Sequence, residues 1–208
     1  MRKLRMLAAC EMSGRVRDAF VARGWDAWSC DFLPSETPGQ HVQGDVLPLL
    51  QQEWDLIIAH PPCTYLCVSG MHWTKRGLRP QSLTDDALRF VRAILEAPCP
   101  YIALENPVGV ISSEIRKPDQ IIQPYQFGHD ASKKTCLWLK GLPPLKPTQI
   151  VPPHLACKVC KRISEVGCGG CPCDQSDEGS MRPVWARIRH PAVRTNSDRV
   201  SAGRLSGA

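Results

Sequence analysis

The sequence predicts an α/β domain built on a mostly parallel sheet with helices on both faces. Three observations carry this. Short apolar runs that read as buried strands alternate with helix-like stretches through the first half of the chain. Turn residues punctuate the alternation at Ser13-Gly14, Gly24, Pro61-Pro62 and Asn106-Pro107. And the polar residues that stand out, Glu11, Asp31, Asp45, Cys63 and Glu105, each follow or close an apolar strand. In parallel sheets that edge, beyond the carboxyl ends of the strands, is where ligands bind.

The elements follow in order. Leu4 to Cys10 ends as an apolar run and reads as the first strand. Ser13-Gly14 is a turn. Arg15 to Arg23 places Val16, Ala19, Phe20 and Ala22 at helical spacing, and Gly24 stops the helix. Trp25 to Phe32, His41 to Val46 and Trp54 to Ala59 read as three further strands, the last broken by Pro61-Pro62. Thr84 to Ala97 is the clearest helix: Leu88, Val91, Ile94 and Leu95 share a face, with Thr84 as the expected cap. Tyr101 to Glu105 is a fifth strand, expected to stop at Asn106-Pro107, and Thr135 to Leu142 a late one. Pro143 to Pro153 reads as a linker. The expected division is a core over 1–150, a cysteine-rich segment over 151–179 and a basic, poorly ordered tail over 180–208.

Composition narrows the function classes. With 208 residues, 43% hydrophobic and 22% charged, the chain can bury one sizeable core. A net charge of +6, from 26 Lys and Arg against 20 Asp and Glu, suits a nucleic-acid partner without requiring one. No stretch has the apolar length of a membrane span, and the first residues do not read as a signal peptide. The expected compartment is the cytoplasm, where the 11 cysteines stay largely reduced. Such cysteines are catalytic, metal-bound or buried rather than paired.

Cys63 follows the fourth strand in Ala59-His60-Pro61-Pro62-Cys63-Thr64. Two prolines stiffen that turn and limit how the thiol is displayed. It is either a buried structural cysteine or a nucleophile whose thiolate the turn favours. Glu105 lies in Ala103-Leu104-Glu105-Asn106-Pro107. A carboxylate there needs a partner or a task; the alternatives are a turn-bonded structural glutamate and a catalytic acid.

The Pro61-Pro62-Cys63 turn followed by Glu105-Asn106 resembles the catalytic pair of the cytosine carbon-5 DNA methyltransferases. The resemblance runs from about Leu4 to Leu142, through Leu7 to Gly14, Trp28 to Asp31, Gly44 to Val46, Ala59 to Cys67, Glu105 to Pro107 and Gln126 to His129 with Cys136 to Pro144. These segments resemble a compact phage- or prophage-associated branch of that family. The resemblance implies a Rossmann-like class I methyltransferase core and a bacterial or phage-infected host cell. It implies a role in masking DNA from restriction or matching a host mark. In that family the cysteine thiolate adds to carbon 6 of cytosine and the glutamate assists at ring nitrogen 3. Carbon 5 then takes a methyl group from S-adenosyl-L-methionine, with the base flipped out of the duplex. Carried onto this chain, Cys63 and Glu105 are catalytic. Glu11, Ser13, Gly14, Asp31, Asp45 and Pro61 bind the cofactor, and Asn106, Lys133 and Lys134 the substrate.

The chain departs from the family pattern in three places. Cys10 to Arg15 has one glycine where the family has several. Lys133 and Lys134 stand where arginines hold the flipped base, and lysine lacks the bidentate fork. The large target-recognition domain has no counterpart. The expectation is then that sequence specificity is weak, is read by the loop Thr64 to Ser82 with its His72, Trp73, Lys75, Arg76 and Arg79, or depends on a protein partner. Cys67, in that loop, ranks behind Cys63 as nucleophile.

The cysteine-rich segment carries its own expectation. Cys157-x2-Cys160 and Cys168-x2-Cys171 form paired knuckles suited to a structural zinc ion, with Cys173 spare and His154 as a substitute ligand. Unligated thiols, an iron–sulfur cluster and thiol exchange are the alternatives. Two further readings of the whole chain stand beside the DNA methyltransferase. One is a non-catalytic DNA-binding protein on a degenerate core; the other is a methyltransferase acting on a free deoxycytidine nucleotide.

Overall fold

The computed structural model describes residues 2–152, 154–157, 163–164 and 181–184. Its elements are β1 (Arg5–Ala9), α1 (Arg15–Val21), β2 (Asp26–Asp31), β3 (His41–Gln43), β4 (Leu56–Ala59), α2 (Val68–Lys75), α3 (Ser82–Leu95), β5 (Tyr101–Pro107), α4 (Ile111–Glu114), β6 (Gln120–Ile122), β7 (Thr135–Lys140), β8 (His154–Cys157), β9 (Ile163–Ser164) and β10 (Met181–Val184). Seven strands form one sheet in the order β3-β2-β1-β4-β5-β7-β6. The pairs β1–β2, β1–β4, β2–β3 and β4–β5 are parallel, and β7 runs antiparallel to β5. This is the expected Rossmann-like α/β core with a mostly parallel sheet, doubly wound about β1.

Continuous burial from Met6 to Ala9 makes β1 a strand covered on both faces. Met6 and Ala8 face one side, with Ala27 and Leu56, where Val16 and Phe20 of α1 cover them. Leu7 and Ala9 face the other, with Ile57, Ala59 and the Leu88, Val91 and Ile94 stripe of α3. Each fully buried Leu or Ile contributes about 1.5–3 kcal/mol of apolar transfer energy. The same registers set the functional edge. Ala9 pairs with Cys30 of β2 and with Ala59 of β4, and Ala59 pairs with Leu104 of β5. The chain therefore leaves all four strands at one end of the sheet.

The segment between β2 and β3 is organised by an arginine that is fully buried. Arg17 on α1 donates from Nε to Asp18 Oδ1 at 2.8 Å, and from its two terminal nitrogens to Ser29 Oγ (3.2 Å), Ser35 Oγ (3.1 Å), Thr37 Oγ1 (2.7 Å) and the Thr37 and Pro38 carbonyls (3.2 and 3.0 Å). Ser29 Oγ lies 2.9 Å from His41 Nδ1, and His41 Nε2 lies 2.9 Å from the Leu33 carbonyl. With Nε2–H donating to that carbonyl, Nδ1 accepts from Ser29. A buried guanidinium needs such a full set of acceptors. Gly14, at φ 73, caps α1 with its Cα against Thr37 and the Arg17 guanidinium, so a Cβ there would collide with both.

Several boundaries differ from expectation. The segment after Cys63 is not one loop: α2 occupies its centre. The long helix begins at Ser82 with Gln81 as its cap, and Thr84 is buried within its first turn, its hydroxyl 3.6 Å from Met71 Sδ. β5 does not stop at Asn106-Pro107. It continues because β7 pairs with it there, Glu105 opposite Leu137, Asn106 opposite Cys136 and Pro107 opposite Thr135. The third strand closes at Gln43, before Gly44-Asp45.

The chain divides into two compact units, Met1–Ile121 with Thr135–Leu145, and Ile122–Lys134 with Lys146–Ala208. In the second, the expected linker is pinned to a 3₁₀ turn at Pro124–Gln126: Gly128 N–H donates to the Gln149 carbonyl (2.8 Å) and Val151 N–H to the Tyr125 carbonyl (2.8 Å). The same unit holds an antiparallel three-stranded sheet in the order β10-β8-β9.

Replacing Arg17 by Met keeps much of its volume but strips the donors from Ser29, Ser35 and Thr37. Urea unfolding should show a loss of about 3 kcal/mol, with Arg17→Lys between the two.

Candidate active site

The ends of β1, β2, β3 and β4, together with β5, build two neighbouring clusters. After β4 the His60 N–H donates to the Ala9 carbonyl at 2.9 Å, tying the start of the Pro-Pro-Cys turn to the end of β1. Pro61 and Pro62 have no N–H to hold the turn from within. The hold comes from β5: Asn106, buried, donates from Nδ2 to the Pro61 carbonyl at 2.8 Å. Pro61 is buried, Pro62 exposed and Cys63 half-buried between covered and open surface. The Cys63 carbonyl then accepts the N–H groups of Leu66 (3.0 Å) and Cys67 (2.9 Å), which begins the path into α2.

Glu105, one residue before Asn106, sits half-buried beside the same turn. Its Oε2 lies 3.5 Å from His60 Nδ1. Its charge, after burial itself, raises the neighbouring Cys136 thiol. The register that places Glu105 one step beyond the Ala59–Leu104 pair therefore brings Cys63, His60, Glu105, Asn106 and Pro61 to one end of β4 and β5.

A second cluster lies at the ends of β1, β2 and β3. Cys10 turns the chain out of β1 in the left-handed region (φ 59), a conformation non-glycine residues rarely take. Glu11 follows, buried, with its N–H on the Cys30 carbonyl at 3.0 Å and the Ser13 hydroxyl bonded to its Oε1. Asp31 Oδ1 accepts the Leu33 N–H (3.0 Å), and Asp45, exposed, accepts the Leu47 N–H (3.0 Å). Burial, then Asp31 and Asp45, push Cys30 up to about 11. Burial and then Asp31 lead the causes that raise Cys10. Both carboxylates thus act on the same strand ends, which form an acidic edge.

Among the described residues, four buried side-chain polar atoms lack a hydrogen-bond partner: Glu11 Oε2, His60 Nε2, Asn106 Oδ1 and Thr74 Oγ1. The first three belong to these two clusters. Buried polar atoms are nearly always bonded, and an orphaned carboxylate oxygen is the costliest kind. Three at one edge of a sheet mark a surface shaped to meet polar groups from outside the chain.

Cys67 is the N-cap of α2, with an extended backbone. Its thiol is lowered to about 5, first by the hydrogen bond from the Cys63 side chain, then by Ser69 and the Gly70 N–H, against burial. Sequence reasoning ranked Cys67 second and gave His60 and Arg17 no role. The Cys63-x3-Cys67 spacing, one helical turn, was the available signal. The expected recognition residues lie on and after α2. Trp73 is 48% exposed and stacks edge-on with His72, and Arg79 covers the Tyr65 ring while donating to the Thr64 carbonyl at 3.1 Å.

Lys133 and Lys134 belong to the second unit, Lys133 half-buried with its N–H on Gln123 Oε1 at 2.9 Å, and Lys134 exposed. Gly14 meets its own chain, Thr37 and Arg17, where a Cβ would point. Of the expected zinc ligands, Cys157 lies in β8, and Cys160, Cys168 and Cys171 fall outside the described residues. Among the described residues no group of three His, Cys, Asp or Glu side chains is placed to hold a metal, and no helix is long and apolar enough to cross a membrane.

No family model and no curated protein matches the chain. Solved structures with similar folds include a prophage-encoded E. coli protein, provisionally assigned as a DNA modification methyltransferase (17% identity, TM-score 0.44, 66% of this chain and 46% of that one). Others are an Entamoeba histolytica methyltransferase (15%, 0.46, 73% and 59%) and the bifunctional kinase–methyltransferase WbdD (12%, 0.41, 74% and 38%). The chain spans 38% to 59% of the length of these proteins. At such scores the likeness decides neither substrate nor mechanism.

Two outcomes follow from this geometry. Asn106→Ala leaves the buried Pro61 carbonyl unbonded and should cost about 1–3 kcal/mol in urea unfolding. Cys67 ionises near pH 5 when folded and near about 8.5 when unfolded. Between those values the unfolded chain binds the extra proton, so its contribution to stability rises with pH and is lost as pH falls through 5. Denaturation midpoints across pH 5–9 should show that rise in the native protein and a flatter profile in Cys67→Ser.

Proposed function

We propose that this chain transfers a methyl group from S-adenosyl-L-methionine to carbon 5 of cytosine in DNA, with Cys63 as nucleophile and Glu105 as the assisting acid. The observation that carries the reading is the set of orphaned polar atoms of Glu11, His60 and Asn106 around a rigidly held Pro-Pro-Cys turn. The cofactor's charge fits it. A buried carboxylate with one oxygen unpartnered suits a cationic group, and the methionyl end of the cofactor carries an ammonium and a sulfonium. Glu11, held by Ser13, would meet that end, with Pro61 along its side. Asp31 would accept the ribose hydroxyls, and Asp45 would lie by the adenine. Gly14 serves this loop by letting α1 start close to Thr37.

The chain's own residues then divide the work. The cofactor supplies the methyl group as an electrophile. The Cys63 thiolate adds to carbon 6 of cytosine, breaking the 5,6 double bond. Glu105 donates a hydrogen bond at ring nitrogen 3, where the negative charge would otherwise settle. Asn106 keeps the turn at a fixed height through the Pro61 carbonyl. After carbon 5 takes the methyl group, its proton leaves to water and the Cys63–carbon bond breaks, restoring the ring. The target base must be swung out of the duplex to reach a turn at the sheet edge. The exposed Trp73, His72 and basic side chains on and after α2 suit stacking and phosphate contact with that DNA. Lys133, Lys134, a zinc-bound Cys157, Cys160, Cys168 and Cys171, or a protein partner would supply further contacts.

Label from the methyl group of the cofactor should enter carbon 5 of cytosine in mixed-sequence DNA. It should fall by at least about 10³-fold in Cys63→Ser and on the order of 10²–10⁴-fold in Glu105→Gln. Cofactor binding without transfer to DNA, but with transfer to a deoxycytidine nucleotide, would move the reading to the nucleotide substrate. DNA binding without cofactor binding would replace it with the non-catalytic one.

A further inference from the structure

The backbone sets His60 and Glu105 side by side. The His60 N–H is fixed on the Ala9 carbonyl at 2.9 Å, and the following Pro61 favours an extended backbone at His60. Glu105 is fixed by its pairing with Leu137 of β7. Between the two half-buried side chains, His60 Nδ1 lies 3.5 Å from Glu105 Oε2. The far ring nitrogen, Nε2, is buried and has no hydrogen-bond partner. Together these two observations select one form of the ring. A proton on Nε2 would be a buried donor without an acceptor, which folded proteins rarely leave. With its single proton on Nδ1, the ring donates to Oε2 and Nε2 is a bare acceptor. A 3.5 Å contact is at the long end for such a bond, and it tightens as negative charge develops on the accepting oxygen.

We propose that His60 is a positioning residue for Glu105: its Nδ1–H occupies Oε2, so the carboxyl proton sits on Oε1 and is delivered from that oxygen. The inference rests on Glu105 being the assisting acid of the proposed reaction. The protons balance without the imidazole changing its own. As the Cys63 sulfur bonds to carbon 6, ring nitrogen 3 draws the proton from Oε1 and the negative charge passes to the carboxylate. The bond from Nδ1–H to Oε2 becomes charge-assisted and stabilises that charge where it develops. When the Cys63–carbon bond breaks, nitrogen 3 returns its proton to Oε1, and His60 has neither gained nor lost one. Asn106, the next residue, cannot do this work, because its Nδ2 is already committed to the Pro61 carbonyl at 2.8 Å. The other ionisable side chains at this end of the sheet are Cys63 in the same turn, Glu11 after β1, and Cys136 on β7, whose thiol burial and then the Glu105 charge push up.

The test is the tautomer of His60, read from its two ring-nitrogen shifts by proton–nitrogen NMR of the isotope-labelled full chain at a pH of about 8, above the ordinary histidine range. His60→Asn assigns the signals by their loss. The native ring should carry one proton, on Nδ1, and that proton should move upfield in Glu105→Ala as its acceptor is lost. A proton on Nε2 or on both nitrogens, or an Nδ1–H signal indifferent to Glu105→Ala, would overturn the proposal. Transfer rates form the second arm. An asparagine amide places an N–H close to where Nδ1–H sits. His60→Leu should therefore lower kcat by roughly 10²-fold with little change in KM for DNA, and His60→Asn should recover most of that loss. A histidine with only a packing role gives no such recovery, so equal rates in the two variants also overturn it. The NMR arm needs no methyl transfer, so the two readings fail separately. An Nδ1–H ring bonded to Glu105 in a chain that transfers nothing leaves the His60–Glu105 arrangement standing and removes the methyltransferase reading. Transfer that depends on Glu105, with the proton on Nε2, does the reverse.

Discussion

The site depends on a turn that cannot hold itself. Pro61 and Pro62 fix their own backbone angles but contribute no N–H, so nothing within the turn bonds across it. Its geometry is set from outside, by the Asn106 amide on the Pro61 carbonyl and by the His60 N–H on the Ala9 carbonyl. Both partners are strand residues, Ala9 in β1 between two parallel neighbours and Asn106 where β5 pairs with antiparallel β7. The height of Cys63 above the sheet is therefore set by strand register rather than by loop conformation.

The same construction explains why polarity collects there. Strands buried on both faces admit polar side chains mainly at their ends, Ser29 within β2 being held by Arg17 and His41. The ends of β1, β2, β4 and β5 accordingly hold Glu11, Asp31, His60 and the Glu105-Asn106 pair. Two of these groups have partners within the site, Glu11 in Ser13 and Glu105 in His60. Glu11, His60 and Asn106 each also keep an atom without a partner. At the far side of β2 the opposite solution appears: Arg17, equally buried, is saturated by hydroxyls and carbonyls, and its task is structural.

Much of the core was legible in the sequence. The apolar run through Leu7 and Ala9, the Leu88, Val91 and Ile94 stripe, and the break at Pro61-Pro62 each have a local physical cause, and each fell where it was expected. Elements fixed by partners rather than by local sequence did not. β5 runs on through Asn106-Pro107 because β7 pairs alongside it. α2 has a weak apolar stripe, and its start depends on Gly109 and Gly70 allowing close backbone contact. Thr84 looked like a cap but faces Met71 inside the packing.

The sequence alone determined the alternation of strand and helix, the placement of acids and Cys63 at strand ends, and the stiffness of the Pro-Pro-Cys turn. These follow from periodicity and from the fixed φ of proline, which act within a few residues. Only the tertiary structure decided that His60 meets Glu105, that Asn106 holds Pro61, that Arg17 is buried, and that Cys67 begins a helix with its sulfur against Cys63. Each of these contacts needs a register or a packing partner, and no local pattern specifies which two residues a sheet will bring side by side.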